Sequence, residues 1–216
     1  GRPDSITEGK LRSMKAHGVT RISINPQSMK EHTLKLLGRK HTVEEIREKF
    51  MLARTLGFDN INMDLIAGLP EETLEDFKET LREVEALKPD SITVHTLVIK
   101  RASRLRKEQL EQGGEMREED ACIEPMQKEA EQFCRVHGYE PYYMYRQKNK
   151  AHTTRNTNQE NVAYAKPGKE CLYNIFIMEE LQSILALGSG GSSKIVFPEE
   201  NRMERVENVK SVDDYI

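Results

Sequence analysis

Three polar side chains of unlike chemistry, Gln27, Arg39 and Asp64, fall where a chain of alternating strands and helices would gather them on one side. An amide suits a base or ribose edge, a guanidinium pairs with a carboxylate, and a carboxylate accepts from hydroxyl groups. Together they could surround one ligand carrying all three kinds of group. The same residues also fit a structural account, with Asp64 capping the next helix, Arg39 in solvent and Gln27 bonding its own turn. Metal ligation is not suggested. Cys122, Cys134 and Cys171 form no short-spaced set, and the six histidines show no paired metal spacing. Cys122 and Cys134 lie in a helical pattern and read as packing residues, while His41 and His95 read as structural or cap-like. An odd cysteine count with no secretory signal points to reduced thiols.

The elements that must position these residues follow from periodicity. Ser5 to His17 reads as a helix, with Ser5 and Glu8 at capping-box spacing and Gly18 as its stop. Thr20 to Asn25 alternates as a strand. Thr42-Val-Glu-Glu45 opens a helix whose stripe is Val43, Ile46, Phe50, Ala53 and Leu56. Asn60 to Ile66 is a strand, Gly68-Leu-Pro70 a turn, and Leu74, Phe77, Leu81, Val84 and Leu87 line the next helix. Ser91 to Ile99 is a β-branched strand. A charged loop follows, and then a helix from about Glu118 to His137. Strands joined in this way should be parallel, because each crossover helix must pack back on the sheet. The expected fold is α/β: a partial (β/α) barrel of about three strand–helix units over residues 1–138, then a smaller α+β region over 139–216. In that region Glu140 to Arg146 is aromatic and extended, Lys148 to Asn161 is a polar loop, and Tyr164 to Gly168 is a turn. Asn174 to Leu187 is apolar, as strand or buried helix, and Gly188 to Ser192 is a tight loop. In a parallel β/α layout, function gathers at the carboxyl ends of the strands. That rule selects Gln27, Arg39 and Asp64.

Composition excludes several classes of function. Charged residues make up 32% and net charge is -3, with both signs interspersed, so there is no electrostatic case for a nucleic-acid partner. No apolar run approaches the roughly 18 residues of a membrane span. Without a targeting signal, a cytoplasmic location is the default expectation.

Motifs then sharpen the picture. Gly18-Val-Thr-Arg-Ile-Ser-Ile-Asn-Pro-Gln27 resembles the GxxRxSxGxQ stretch of the radical-SAM, oxygen-independent coproporphyrinogen III oxidase family. Gly38-Arg39-Lys-His-Thr42 and Asp64-Leu-Ile-Ala-Gly-Leu-Pro70 follow in that family's order and spacing. Gly138-Tyr-Glu-Pro-Tyr142, Ala165-Lys-Pro-Gly168 with Cys171 and Asn174, and Leu187-Gly-Ser-Gly-Gly-Ser-Ser193 resemble its carboxyl-terminal region. Lys100 to Leu105 and Tyr142 to Asn149 are most similar to the bacterial coproporphyrinogen dehydrogenase branch.

The resemblance implies S-adenosyl-L-methionine as cofactor, together with a [4Fe–4S] cluster in the full-length protein and an electron donor. It implies a porphyrinogen substrate: hydrogen is abstracted from a propionate of coproporphyrinogen III, carbon dioxide leaves, and two rounds give protoporphyrinogen IX. Gln27, Arg39 and Asp64 match the family's cofactor-binding positions, with Asp64 on the ribose hydroxyls and Arg39 on the methionyl carboxylate. The family's CxxxCxxC cluster loop and Gly-Gly motif would precede residue 1, so this chain is expected to be a fragment that neither holds the cluster nor acts alone. Four substrate carboxylates suit a basic rim. Lys100, Arg101 and Arg104 are its candidates, with Lys166 and Lys194 behind them, although plain surface charge explains them equally. The alternative is a haem-binding or haem-delivery protein of the same superfamily. Such relatives usually carry a His where this chain has Tyr173, which favours the oxidase branch.

Overall fold

The computed structural model describes residues 1–97, 120–146 and 160–215. The candidates Lys100, Arg101 and Arg104 lie outside them, as does the end of the expected strand beyond Leu97. Two compact units emerge, Gly1–Glu170 and Cys171–Ile216.

The first unit begins with a 3-10 turn, Pro3–Ser5, and helix α1 (Glu8–Ala16). Ser5 does not cap α1. Its hydroxyl donates to the Arg2 carbonyl, closing the turn, and Thr7 takes over as N-cap, accepting from the Lys10 N–H. Strand β1 (Ile22–Ser23) is followed by α2 (Glu31–Leu36), a helix too short to show a period in the sequence, and then by α3 (Val43–Thr55). The Thr42/Glu45 capping box forms as expected. Beyond it come β2 (Ile61–Ala67), α4 (Leu74–Leu87) with its own Thr73/Asp76 box, β3 (Ser91–Thr96) and α5 (Asp120–Val136). Each box satisfies helix-end N–H groups that would otherwise lack partners and contributes about 1 kcal/mol.

Strands β1, β2 and β3 are parallel neighbours, as their helical crossovers require. Strands β4 (Glu140–Arg146) and β5 (Glu160–Ala165) extend the sheet antiparallel, in the order β1-β2-β3-β5-β4. The boundary expected at 138/139 is therefore spanned by sheet pairing, because β5 lies against β3 and binds β4 to the first unit. Tyr164 and Ala165 lie in β5, and the turn expected at Tyr164 begins only after them.

Side-chain alternation gives the parallel strands two unlike faces. Ile61, Met63, Leu65 and Ala67 of β2 and Ile92 and Val94 of β3 are buried with Phe50 and Ile46 of α3 and Phe77, Leu81 and Val84 of α4. By register, Ser23, Asn62, Asp64, Thr93 and His95 share the opposite face. Helix α5 approaches the end of β2 closely. A Cβ on Gly68 (φ +81) would lie 2.6 Å from Ile123 Cγ1, so the turn after β2 needs glycine for both conformation and space.

The second unit holds α6 (Leu172–Met178), the hairpin of β6 (Ser192–Phe197) and β7 (Arg202–Glu207), and a final turn of helix, α7 (Val212–Tyr215). Helix α6 buries none of its residues fully, so the apolar stretch is neither a strand nor a core helix. Among the described residues no helix is long and apolar enough to cross a membrane.

Candidate functional site

Asp64 stands on the polar face of β2, at the midpoint of the strand. Its Oδ1 accepts from Asn62 Nδ2 at 2.6 Å, and that amide also donates to Ser23 Oγ at 2.8 Å. Thr93 Oγ1 donates to Asn62 Oδ1 at 3.1 Å, so one buried amide joins the three parallel strands and aims the carboxylate. Asp64 Oδ2 accepts no hydrogen bond among the described residues. His95 Nε2 lies 3.8 Å from it, beyond hydrogen-bond reach. His95, expected to be merely structural, thus faces the candidate carboxylate. Position 95 lies four residues beyond Ser91 on a strand of period two, which puts it on the Asp64 face; the register was needed to show it.

Gln27 is fixed to the same place through its backbone. Its N–H donates to the Asp64 carbonyl at 3.0 Å, and its own carbonyl accepts from the Ile66 N–H at 3.0 Å. It holds φ +72, a left-handed conformation uncommon for a residue other than glycine and one that turns the chain sharply at the end of β1. Gln27 and Asp64, 37 positions apart in sequence, are adjacent in space.

Arg39 follows α2, its N–H bonded to the Leu34 carbonyl at 2.8 Å. Its guanidinium makes no hydrogen bond to Gln27 or Asp64 among the described residues. Burial, with Arg2 adding to it, pushes its pKa down. Its connection to the turn runs through His41, which is 2% exposed and whose ring nitrogens close no hydrogen bond. The Pro26 carbonyl, beside Gln27, acts on the ring and favours its protonation. Burial lowers the His41 pKa, with Asp4 opposing and Arg39 reinforcing the shift. The described interactions of the Arg39 guanidinium are thus with His41, Arg2 and Asp4, and not with Gln27 or Asp64.

The remaining candidates are accounted for separately. Lys166 lies over the Tyr139 ring, 5.3 Å from its centroid. Lys194 in the second unit is tied to Glu180 at 2.9 Å and to the Ile177 carbonyl at 2.7 Å. It is thereby engaged within its own unit. Cys134 is buried and Cys171 half-buried, and no metal-holding group of His, Cys, Asp and Glu exists among the described residues. These residues do not fit an iron–sulfur cluster, which needs a close set of thiolates.

The Radical SAM superfamily profile matches residues 1–84. Over 215 residues the chain is 46% identical to the oxygen-independent coproporphyrinogen-III oxidase-like protein HemZ of Bacillus subtilis, a match covering 100% of this chain and 41% of that protein. It is 27% identical over 197 residues to the heme chaperone HemW of Escherichia coli, covering 91% of this chain and 46% of the relative. Among solved structures, coproporphyrinogen III oxidase (HemN) from Escherichia coli, described as a radical SAM enzyme, superposes with a TM-score of 0.67 at 20% identity. That superposition covers 98% of this chain and 46% of HemN, and it identifies the fold as the radical-SAM α/β type. The chain spans less than half the length of each of these proteins.

Proposed function

Because this chain belongs to the Radical SAM superfamily, related to its coproporphyrinogen oxidase-like members, we propose that its first unit supplies one side of an S-adenosyl-L-methionine site. The observation that carries this reading is the pairing of the Gln27 turn with β2 at Asp64, where one carboxylate oxygen accepts no hydrogen bond among the described residues. Asp64 would accept from the ribose hydroxyls, Arg39 would pair with the methionyl carboxylate, and the Gln27 amide would bond the cofactor between them. When bound, S-adenosylmethionine supplies the hydrogen-abstracting chemistry of the superfamily. These residues contribute binding and orientation. Among the described residues no set of thiolates fits the cluster that such chemistry also needs.

The reaction proposed for the whole protein is oxidative decarboxylation of coproporphyrinogen III to protoporphyrinogen IX in haem biosynthesis, with an external electron donor. The likeness to HemZ supports it. A second reading, haem binding or delivery, draws on the likeness to HemW. Tyr173, 56% exposed on α6, stands where a histidine would favour that role.

The test is calorimetric titration of the folded chain and its Asp64→Ala variant with S-adenosylmethionine. A hydrogen bond to a charged group is worth about 1.5–3 kcal/mol, so the variant should bind at least roughly tenfold more weakly. Equal affinity would remove Asp64 from the site. Stoichiometric haem binding without porphyrinogen binding would favour the delivery reading.

A further inference from the structure

The turn that carries Gln27 does not hold itself. Residues 28–30 are fastened to the segment after β2 and to α4 at several points, and the innermost is a buried carboxyl. Ser28 is 0% exposed and Glu72 is 8% exposed, and the Ser28 hydroxyl donates to Glu72 Oε1. The same Ser28 oxygen accepts from the Lys30 N–H at 3.2 Å. Beside it the Met29 N–H donates to Thr80 Oγ1 at 3.2 Å, and Lys30 Nζ reaches Glu79 at 2.6 Å and Asp76 at 3.2 Å. Glu71, at φ +64, reaches His32 of α2 at 2.7 Å across the outside of the same junction.

These bonds differ in kind. Those of Lys30 and Glu71 lie at the surface, where an ion pair is worth little. The Ser28–Glu72 bond is enclosed, and Glu72 Oε2 closes no hydrogen bond among the described residues. Leaving a buried carboxyl oxygen unsatisfied costs free energy, which the remaining contacts must offset. Burial pushes the Glu72 pKa up, with the Ser28 and Thr33 hydroxyls opposing the shift. Hydrogen-bond balance alone gives no reason to retain such a group. The neighbour it grips does: Ser28 directly follows Gln27, whose left-handed backbone needs restraint from outside.

We propose that Glu72 is a positioning residue for Gln27, its buried carboxyl gripping Ser28 so that the Gln27 turn stays docked on the end of β2 and its amide faces the ligand. The proposal rests on the reading of Gln27 as a cofactor-binding residue, and Glu72 acts through Ser28.

The experiment compares the wild-type chain with Glu72→Ala, Glu72→Gln and Ser28→Ala. Amide hydrogen exchange at Gln27, Met29 and Lys30 is measured alongside calorimetric titration with S-adenosylmethionine. In Glu72→Ala, exchange at these amides should quicken at least tenfold while the amides of β3 keep wild-type rates, and affinity should fall about tenfold. Glu72→Gln keeps an oxygen that accepts from Ser28 and should restore both readouts to within about threefold, which a loss of packing alone would not predict. Ser28→Ala removes only a hydroxyl and should repeat the Glu72→Ala pattern even if that variant folds poorly. Wild-type exchange at residues 27–30 in both Glu72→Ala and Ser28→Ala would overturn the proposal, as would equal failure of Glu72→Gln and Glu72→Ala. If the wild-type chain binds no S-adenosylmethionine, the cofactor reading fails, and the exchange data still decide whether Glu72 holds the turn.

Discussion

Two aspartates of the parallel sheet are used in opposite ways. At the amino end, Asp90 precedes β3 and its Oδ2 accepts from the Ile61 N–H at 2.8 Å while pairing with Arg54 Nη1 at 2.7 Å. Its backbone N–H donates to the Ile61 carbonyl, and its carbonyl accepts from the Lys166 N–H. Arg54 also donates to the carbonyls of Phe58 and Lys88, and Tyr139 donates to that of Pro89. One aspartate there, by its carboxylate and its backbone, joins α3, β2, β3 and the residue after β5. Beside the Gln27 turn, the Asp64 carboxylate accepts one hydrogen bond among the described residues, from Asn62, and its other oxygen accepts none. Beside it stands the left-handed Gln27, its N–H bonded to the Asp64 carbonyl. The Asp90 carboxylate is engaged in tying elements together, whereas beside the Gln27 turn, where we propose that the cofactor binds, one Asp64 oxygen is left open.

Asp90→Ala should expose that division most clearly. Removing one partner of a buried, hydrogen-bonded pair leaves the other stranded and typically costs about 3–5 kcal/mol. Arg54 is partly solvated, so the lower part of that range applies, about 3 kcal/mol by urea unfolding. Asp64→Ala removes no such pair and should change stability by less than about 1 kcal/mol. Similar losses at both positions would mean that the Asp64 carboxylate is structural too, and the comparison would collapse.

A smaller effect depends on pH. His41 is buried and its pKa is depressed, chiefly by desolvation. The folded chain therefore resists protonating it. Its contribution to stability is fully present above the ordinary value of 6.5 and is lost as pH falls below that towards the depressed value. Glu72 has the opposite sign: its raised pKa makes the contribution greatest in acid, below the ordinary 4.5, and erodes it as pH rises. Melting the wild type and His41→Phe at pH 7.5 and 5.5 should show a larger drop in the wild type, by a few degrees. An equal drop in both would mean that the His41 ring is reached by water.

Much of this arrangement was legible in the sequence, and what was missed has physical reasons. The capping boxes, the stripes of α3 and α4 and the parallel order of β1 to β3 follow from local spacing and from the crossover rule. The proximity of Gln27 and Asp64 follows from strand ends in a parallel sheet. The roles of Glu72 and His95 do not, because they depend on which side chain meets which across elements 44 and 31 residues apart, between residues 28 and 72 and between residues 64 and 95. Strand β5 escaped notice because its short Ala-Tyr-Ala end reads as part of a turn, and only pairing with β3 and β4 makes it a strand. Thr7 displaced Ser5 as a cap because Pro3 first nucleates a separate turn.

The smallest perturbation tests how closed the amino end is. Cys134 sits on the buried face of α5, 0% exposed, with the Tyr139 N–H donating to its carbonyl at 2.8 Å. Desolvation pushes its thiol pKa up to about 12. Cys171 is half-buried. Alkylation consumes the thiolate, so at pH 8 a thiol with a pKa near 12 should react about a thousandfold more slowly than one with an ordinary pKa of about 8.5. Iodoacetamide labelling of the native chain, located by mass spectrometry, should modify the more accessible Cys171 and spare Cys134 until denaturant is added. In Asp90→Ala, where the bonds beneath α5 are weakened, Cys134 should begin to label before global unfolding. Rapid labelling of Cys134 in the native wild type would mean that α5 lifts from the sheet on its own, and the amino end would then owe its rigidity to β2, β3 and α3 alone.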